Sequence, residues 1–221
     1  MGFHKLEVDS VIKSYNDKKI LSNIYLSCET GDIIGIFGRN GEGKSTLLKI
    51  IFGIEESENK FIKIDNLVLD CPYLFKNQIS YLPQDNFIPR NLSVNQSIEL
   101  FIVNQKITEF KNDEVINLII NQKINSLSGG ELRYLEIKLI LFSESKFILL
   151  DEPYKGISPL LIEKTNEIIR NAASNKGIII TDHNYESVLE IVTKICILKN
   201  QKITYLNNQN QLFEYGYLLK K

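Results

Sequence analysis

The sequence predicts an α/β protein with a mainly parallel sheet. Continuous apolar runs recur at DIIGIF (32–37), FILLD (147–151) and GIIITD (177–182). Each reads as a strand buried on both faces, as in parallel sheets covered by helices. Segments of helical spacing alternate with them, TLLKIIFG after the first run and a helix from about Pro159 to Ala173 between the other two. That alternation builds parallel sheets. The first run also leads directly into a glycine-rich loop, GRNGEGKST (38–46).

The elements follow in order. Residues 3–36 read as short strands, with LEV and DIIGIF the clearest and SYNDKK a polar turn between them. TLLKIIFG stops at Gly53, a C-cap. FIKIDNLVL reads as two strands around a turn. Residues 92–143 turn helical: Ser93 caps SVNQSIELFIV, a second helix spans DEVINLIINQ, and a third begins at LSGGELRYLEIKLILF. Beyond the helix from Pro159 come GIIITD, a short helix after His183, the strands ICILK and KITYL, and a closing helix over NQLFEYGYLLKK. No repeat, low-complexity tract or linker interrupts the chain. It reads as one unit, 1–221, with an inserted helical subdomain at about 85–143.

Composition narrows the classes. The 221 residues are 43% hydrophobic and 24% charged, in the range of soluble globular proteins. With Lys+Arg at 26 and Asp+Glu at 27, the net charge of -1 argues against broad electrostatic binding, and no nucleic-acid partner is expected. Cys28, Cys71 and Cys196 are odd in number and far apart, so reduced thiols are expected rather than a disulfide framework or zinc site. MGFHKLEVDS lacks the apolar core of a signal peptide, and Leu6 stands where a myristoylation motif needs Ser or Thr. No apolar run approaches the roughly 20 residues that span a bilayer. A membrane would be reached only through a partner.

GRNGEGKS (Gly38, Arg39, Asn40, Gly41, Glu42, Gly43, Lys44, Ser45) fits G-x-x-x-x-G-K-[ST] between a buried strand and a helix. In such a loop consecutive N–H groups turn inward, and the helix that starts there adds its positive end. Lys44 is expected to reach the β- and γ-phosphates of a nucleotide and Ser45 to bind Mg²⁺, with Thr46 beside it. Asp151, at the end of FILLD, is placed to hold Mg²⁺, commonly through water, and Glu152 to polarise the attacking water.

Further stretches resemble one family. SLSGGELR (126–133) is similar to the signature of ATP-binding cassette (ABC) ATPases, YLPQD puts Gln84 in the position of the family's Q-loop, and ITDHN puts His183 at its switch. Tyr15 lies upstream of Gly38, where the family carries an adenine-stacking aromatic. The motifs occur once each, in the family's order, along nearly the whole chain. A GTPase would carry N-K-x-D, and NKGI at 175–178 lacks the aspartate.

The resemblance implies a P-loop NTPase core with an N-terminal antiparallel β subdomain. It implies ATP and Mg²⁺ as ligands, with Gln84 sensing metal and water and His183 contacting the γ-phosphate. It also implies an ABC dimer, more simply a homodimer, in which Ser128, Gly129 and Gly130 complete the opposite subunit's ATP site. Two glycines there allow close approach, and Ser128 can cap the helix that follows. Separate transmembrane permease subunits would hold the protein peripherally at the inner, cytoplasmic face of the membrane. YLPQDNFIPRNLSV, KFILLDEP and IIITDHNYESVLEI are similar to subunits of lipopolysaccharide-export and branched-chain amino-acid systems. The same motifs also suit an ATP-dependent regulatory module with low turnover, or a soluble ABC protein outside transport.

One position departs from the family. Ser158 stands where an aspartate usually helps link the two ATP sites. It precedes Pro159, so it is a natural N-cap, and Ser and Asp cap about equally.

Overall fold

A computed structural model describes residues 2–218. It contains two sheets. The first is antiparallel and formed by β1 (Lys5–Tyr15), β2 (Lys18–Glu29), β4 (Asn59–Ile64) and β5 (Leu67–Val68), in the order β2-β1-β4-β5. The second is formed by β3 (Ile33–Phe37), β6 (Ile79–Leu82), β7 (Phe147–Asp151), β8 (Gly177–Thr181), β9 (Lys194–Lys199) and β10 (Lys202–Leu206). Its order is β10-β9-β3-β8-β7-β6, parallel except for the edge strand β10. The mainly parallel sheet is as expected.

The N-terminal strands are not short. β1 and β2 form one long hairpin with its turn at Asn16 and Asp17, inside SYNDKK. Register shifts along β1, with Ser10 and Asn23 in left-handed conformations, break the alternation that would announce long strands. β6 was not anticipated: ISYL is short and carries no turn signal on its own.

Alternate residues of the central strands feed opposite cores. Ile34 and Ile36 of β3, Leu149 of β7 and Ile179 of β8 join Leu47, Leu48, Ile50 and Ile51 of α1 (Lys44–Phe52) and the antiparallel sheet in one core. Ile33, Phe37, Ile148, Leu150, Ile178 and Ile180 face the other side, with Ile169 of α6 (Pro159–Ala173). Each fully buried aliphatic side chain of this kind contributes about 1.5–3 kcal/mol relative to exposure.

Residues 85–143 contain α2 (Val94–Phe101), α3 (Ile107–Lys111), α4 (Glu114–Ile119) and α5 (Gly129–Leu141). Ser93 caps α2 through a capping box with Gln96, and Asp113 caps α4 by accepting from Ile116 N–H at 3.0 Å. The helices are shorter than DEVINLIINQ and SVNQSIELFIV suggest: α2 ends at Phe101 and α4 at Ile119, with Ile102 buried in the apolar cluster they share and Ile120 packed against it. α5 has no single apolar face. Ile137 and Leu141 enter the core beneath the sheet, while Leu132, Tyr134, Leu135 and Leu139 enter the helical cluster. Two short helices remain, α7 (Tyr185–Leu189) and α8 (Gln211–Glu214). α8 covers only part of the closing helix expected from the sequence, whose residues 219–221 lie outside the described ones.

Candidate functional site

Four neighbouring strands deliver the site at their carboxyl ends, the edge at which parallel sheets bind ligands. The glycine-rich loop leaves β3, Gln84 follows β6 by two residues, Asp151 ends β7, and His183 follows β8 by two. Parallel registers set Leu82 beside Leu150 and Asp151 beside Thr181, so the groups meet laterally.

The loop wraps tightly. Gly38 cannot carry a side chain, since a Cβ there would lie 2.6 Å from the Leu198 carbonyl oxygen. Gly43 caps α1 at φ 100, and its Cβ would lie 2.6 Å from Ile20. Lys44 is buried, and its Nζ donates to the Gly38 carbonyl at 2.6 Å and the Arg39 carbonyl at 3.2 Å. Burial pulls this ammonium below its ordinary pKa, and the carboxylates of Glu152 and Asp151 oppose that pull. Arg39 donates to the Gly216 carbonyl and Glu42 accepts from Asn200 N–H, while Asn40 and Gly41 stand exposed at the tip. Thr46 lies in the first turn of α1.

Asp151 is fully buried and organises the acid cluster. Its Oδ1 accepts from Ser45 Oγ at 2.9 Å and Thr181 Oγ1 at 3.0 Å, and its Oδ2 accepts from Tyr81 OH at 2.9 Å. Burial and the Asp151 charge push the Tyr81 phenol up, which keeps it a donor. Gln84 Nε2 donates to Ser45 Oγ at 2.9 Å and to Glu152 Oε1 at 2.8 Å. His183 Nε2 lies 3.2 Å from the same Glu152 oxygen. His183 does not cap α7; Asn184 does.

Glu152 has φ 50, a left-handed conformation that costs a non-glycine residue on the order of 1–3 kcal/mol. Its N–H donates to the Thr181 carbonyl at 2.7 Å. Arg133 Nη2 donates to the carbonyls of Asp151 at 2.8 Å and Glu152 at 3.0 Å, and Nη1 to the Pro83 carbonyl at 2.8 Å. The sequence singled out neither Arg133 nor its partner Glu136. Opposite charges three residues apart, set among the apolar positions of α5, were the available signal. Tyr81 and Thr181 left no such trace.

Ser45, Asp151 and Gln84 fit a hard cation. The donors are oxygen-rich, and no cluster of three or more His, Cys, Asp or Glu side chains that could hold a metal occurs among the described residues. Mg²⁺ suits so few protein ligands because it keeps several waters. The Gln84 amide presents Nε2 to Ser45 here, and with the amide turned over its Oε1 would take that place as a ligand.

Three predicted groups stand apart from this cluster. Ser128 caps α5 in a capping box with Glu131, as expected from SLSGGE. Gly130 packs against the segment after the acid pair, where a Cβ would lie 3.2 Å from the Gly156 carbonyl oxygen, while Gly129 faces open space. Tyr15 sits at the hairpin tip, 45% exposed, with Lys13 Nζ 4.5 Å from its ring centroid and its OH donating to Glu55. Ser158 does occupy the N-cap of α6, but its hydroxyl makes no capping hydrogen bond.

A phosphate loop after β3 and an acid pair at the end of β7, one strand apart at the same edge of the sheet, define a nucleotide-hydrolysing protein. Residues 21–155 match the family model described as ABC transporter. The chain belongs to that family and is an ATP-binding, ATP-hydrolysing subunit of it. It is 31% identical to the lipopolysaccharide export system ATP-binding protein LptB of Escherichia coli, over 96% of this chain and 90% of that one. Its identity to LptB of Haemophilus influenzae is 29%, over 94% and 92%. The fold matches a solved ATP-binding subunit of an ABC transporter with TM-score 0.83 at 20% identity, covering 98% of this chain and 95% of that one. No helix among the described residues is long and apolar enough to cross a membrane.

Proposed function

We propose that this chain powers an export system of the lipopolysaccharide type, pairing with a second copy of itself and docking on separate transmembrane permease subunits at the inner face of the membrane. Similarity to LptB proteins over nearly the full length supports the cargo class. The observation that carries the chemistry is the convergence of Gln84 and His183 on one oxygen of Glu152, beside Ser45 and Asp151.

In this reading Tyr15 stacks on the adenine, and Gly38 to Thr46 wrap the phosphates with backbone N–H groups. Lys44 exchanges the Gly38 and Arg39 carbonyls for the β- and γ-phosphates. Glu152 orients a water in line with the γ-phosphorus and takes its proton as the water oxygen bonds to phosphorus and the bond to the β-phosphate oxygen breaks, releasing ADP. His183 holds the γ-phosphate, and Gln84 reports on the water. Ser128, Gly129 and Gly130 close the partner copy's site. Ser45, Asp151 and a turned Gln84 would hold Mg²⁺, which when bound neutralises charge between the β- and γ-phosphates.

The test is recovery of the tagged chain from detergent-solubilised membranes. Co-purification of permease-type membrane proteins, with ATPase activity in the complex, is the expected result. Active chain that recovers only soluble partners would point to a role outside transport.

Ser158 bears on how the two sites communicate. Ser158→Asp is expected to raise the ATPase rate or its cooperativity in ATP, while stability shifts by less than about 0.5 kcal/mol, because the residue is exposed and makes no cap bond to lose. Phosphate release against ATP concentration checks this, and unchanged curves would make Ser158 a neutral cap.

A further inference from the structure

Arg133 and Glu136 are 2% and 0% exposed, in a family whose chemistry involves neither by the motifs above. Both lie on α5, which Ser128 of the signature caps and whose first turn begins at Gly129. The Arg133 guanidinium forks. One arm holds the carbonyls of Asp151 and Glu152, and the other holds the carbonyl of Pro83, next to Gln84, and reaches Glu136 at 3.4 Å. Glu136 in turn accepts from Phe87 N–H at 2.8 Å and Ile88 N–H at 3.4 Å, in the segment after Gln84. Arg133 Nε is buried with no partner. The guanidinium is therefore placed by what its two arms hold, not by satisfying every one of its own donors.

We infer that Arg133 and Glu136 are positioning residues that tie the signature helix to the acid pair and the Q-loop of the same chain. The inference rests on the roles proposed for Glu152 and Gln84. Glu152 sits in a strained backbone conformation and needs outside support to keep it. Arg133 supplies that support from α5, as the last residue of the signature stretch. α5 is packed into both the helical cluster and the core beneath the sheet, so it moves as a rigid piece. Anything that presses on its N-terminus shifts the Asp151, Glu152 and Pro83 carbonyls together. The signature is then more than a surface offered to another subunit; it also sets the geometry of its own chain's base.

The experiment compares the full-length chain with Arg133→Lys, Arg133→Met and Glu136→Gln, measuring kcat and KM for ATP, equilibrium ATP binding and the thermal midpoint. Lysine keeps the charge beside Glu136 but cannot fork to both sets of carbonyls. Arg133→Lys is expected to lower kcat about tenfold with ATP binding within about twofold of wild type. Glu136→Gln, which still accepts from Phe87 and Ile88, is expected to lose less. Folded Arg133→Lys and Arg133→Met proteins with kcat within about twofold of wild type would overturn the inference. So would a loss of rate that only follows loss of folded protein and of ATP binding, since the pair would then be structural. Glu152→Gln in the same assay separates the two readings. If it keeps the wild-type rate, the assignment of the base fails; if it loses the rate while Arg133→Lys does not, this inference alone fails.

Discussion

Glu152→Gln should bind ATP normally and hydrolyse it on the order of a hundredfold more slowly or worse. The side chains are nearly the same size, so the backbone at φ 50 and its N–H bond to the Thr181 carbonyl are untouched. The amide oxygen can still accept from Gln84 Nε2, so the pocket keeps its shape. What disappears is a carboxylate able to take the proton of the attacking water. A hundredfold loss is about 2.7 kcal/mol of transition-state stabilisation. Steady-state phosphate release, paired with an equilibrium ATP-binding measurement, checks both halves. Release near the wild-type rate would remove Glu152 from the role of base.

Asp113→Ala should cost about 3–5 kcal/mol of stability, because it strands a buried charge. Asp113 Oδ2 accepts from Lys138 Nζ at 2.6 Å and Tyr134 OH at 2.8 Å, while Oδ1 accepts the Ile116 N–H that starts α4. The two side chains are only 10% and 4% exposed. Burial alone would raise the Asp113 pKa, but the Lys138 ammonium, the Ile116 N–H and the Tyr134 hydroxyl outweigh it and hold the carboxyl below its ordinary value. Burial pulls Lys138 down while Asp113 opposes it, and the 2.6 Å contact is that of a charged pair. Since the folded carboxyl is the stronger acid, its contribution is complete above the ordinary aspartate pKa, about 4, and is lost as pH falls through the folded value. Urea unfolding at pH 7 should therefore separate wild type from variant widely, and at pH 3 the gap should narrow. A difference under about 1 kcal/mol at pH 7 would mean that Lys138, lying over the Phe110 and Phe142 rings, finds enough support there.

The readable parts of the fold were those whose signal is local. β7 and β8 are apolar at every position because both faces are covered, and α6 opens at Ser158 and Pro159. β1 and β2 hid their length because bulges interrupt the alternation. At the site, the glycine loop, the acid pair, Gln84 and His183 were legible because each must be a particular residue next to particular neighbours. Tyr81 and Thr181 were not, because they meet Asp151 only through the lateral register of a parallel sheet, which joins residues 30 or more positions apart. Arg133 reaches backbone carbonyls, and a carbonyl leaves no mark in a sequence. The left-handed Glu152 has no signature either.

β3 carries the phosphate loop and lies between β9 and β8, with alternate side chains sunk in two different cores. A nucleotide held by that loop is therefore linked to global unfolding and not to a local opening. Its binding energy appears as melting temperature, rising with ligand concentration as RT ln(1 + [L]/Kd). Every turnover that exchanges ATP for product thus changes how firmly the whole sheet is held, at the frequency of catalysis.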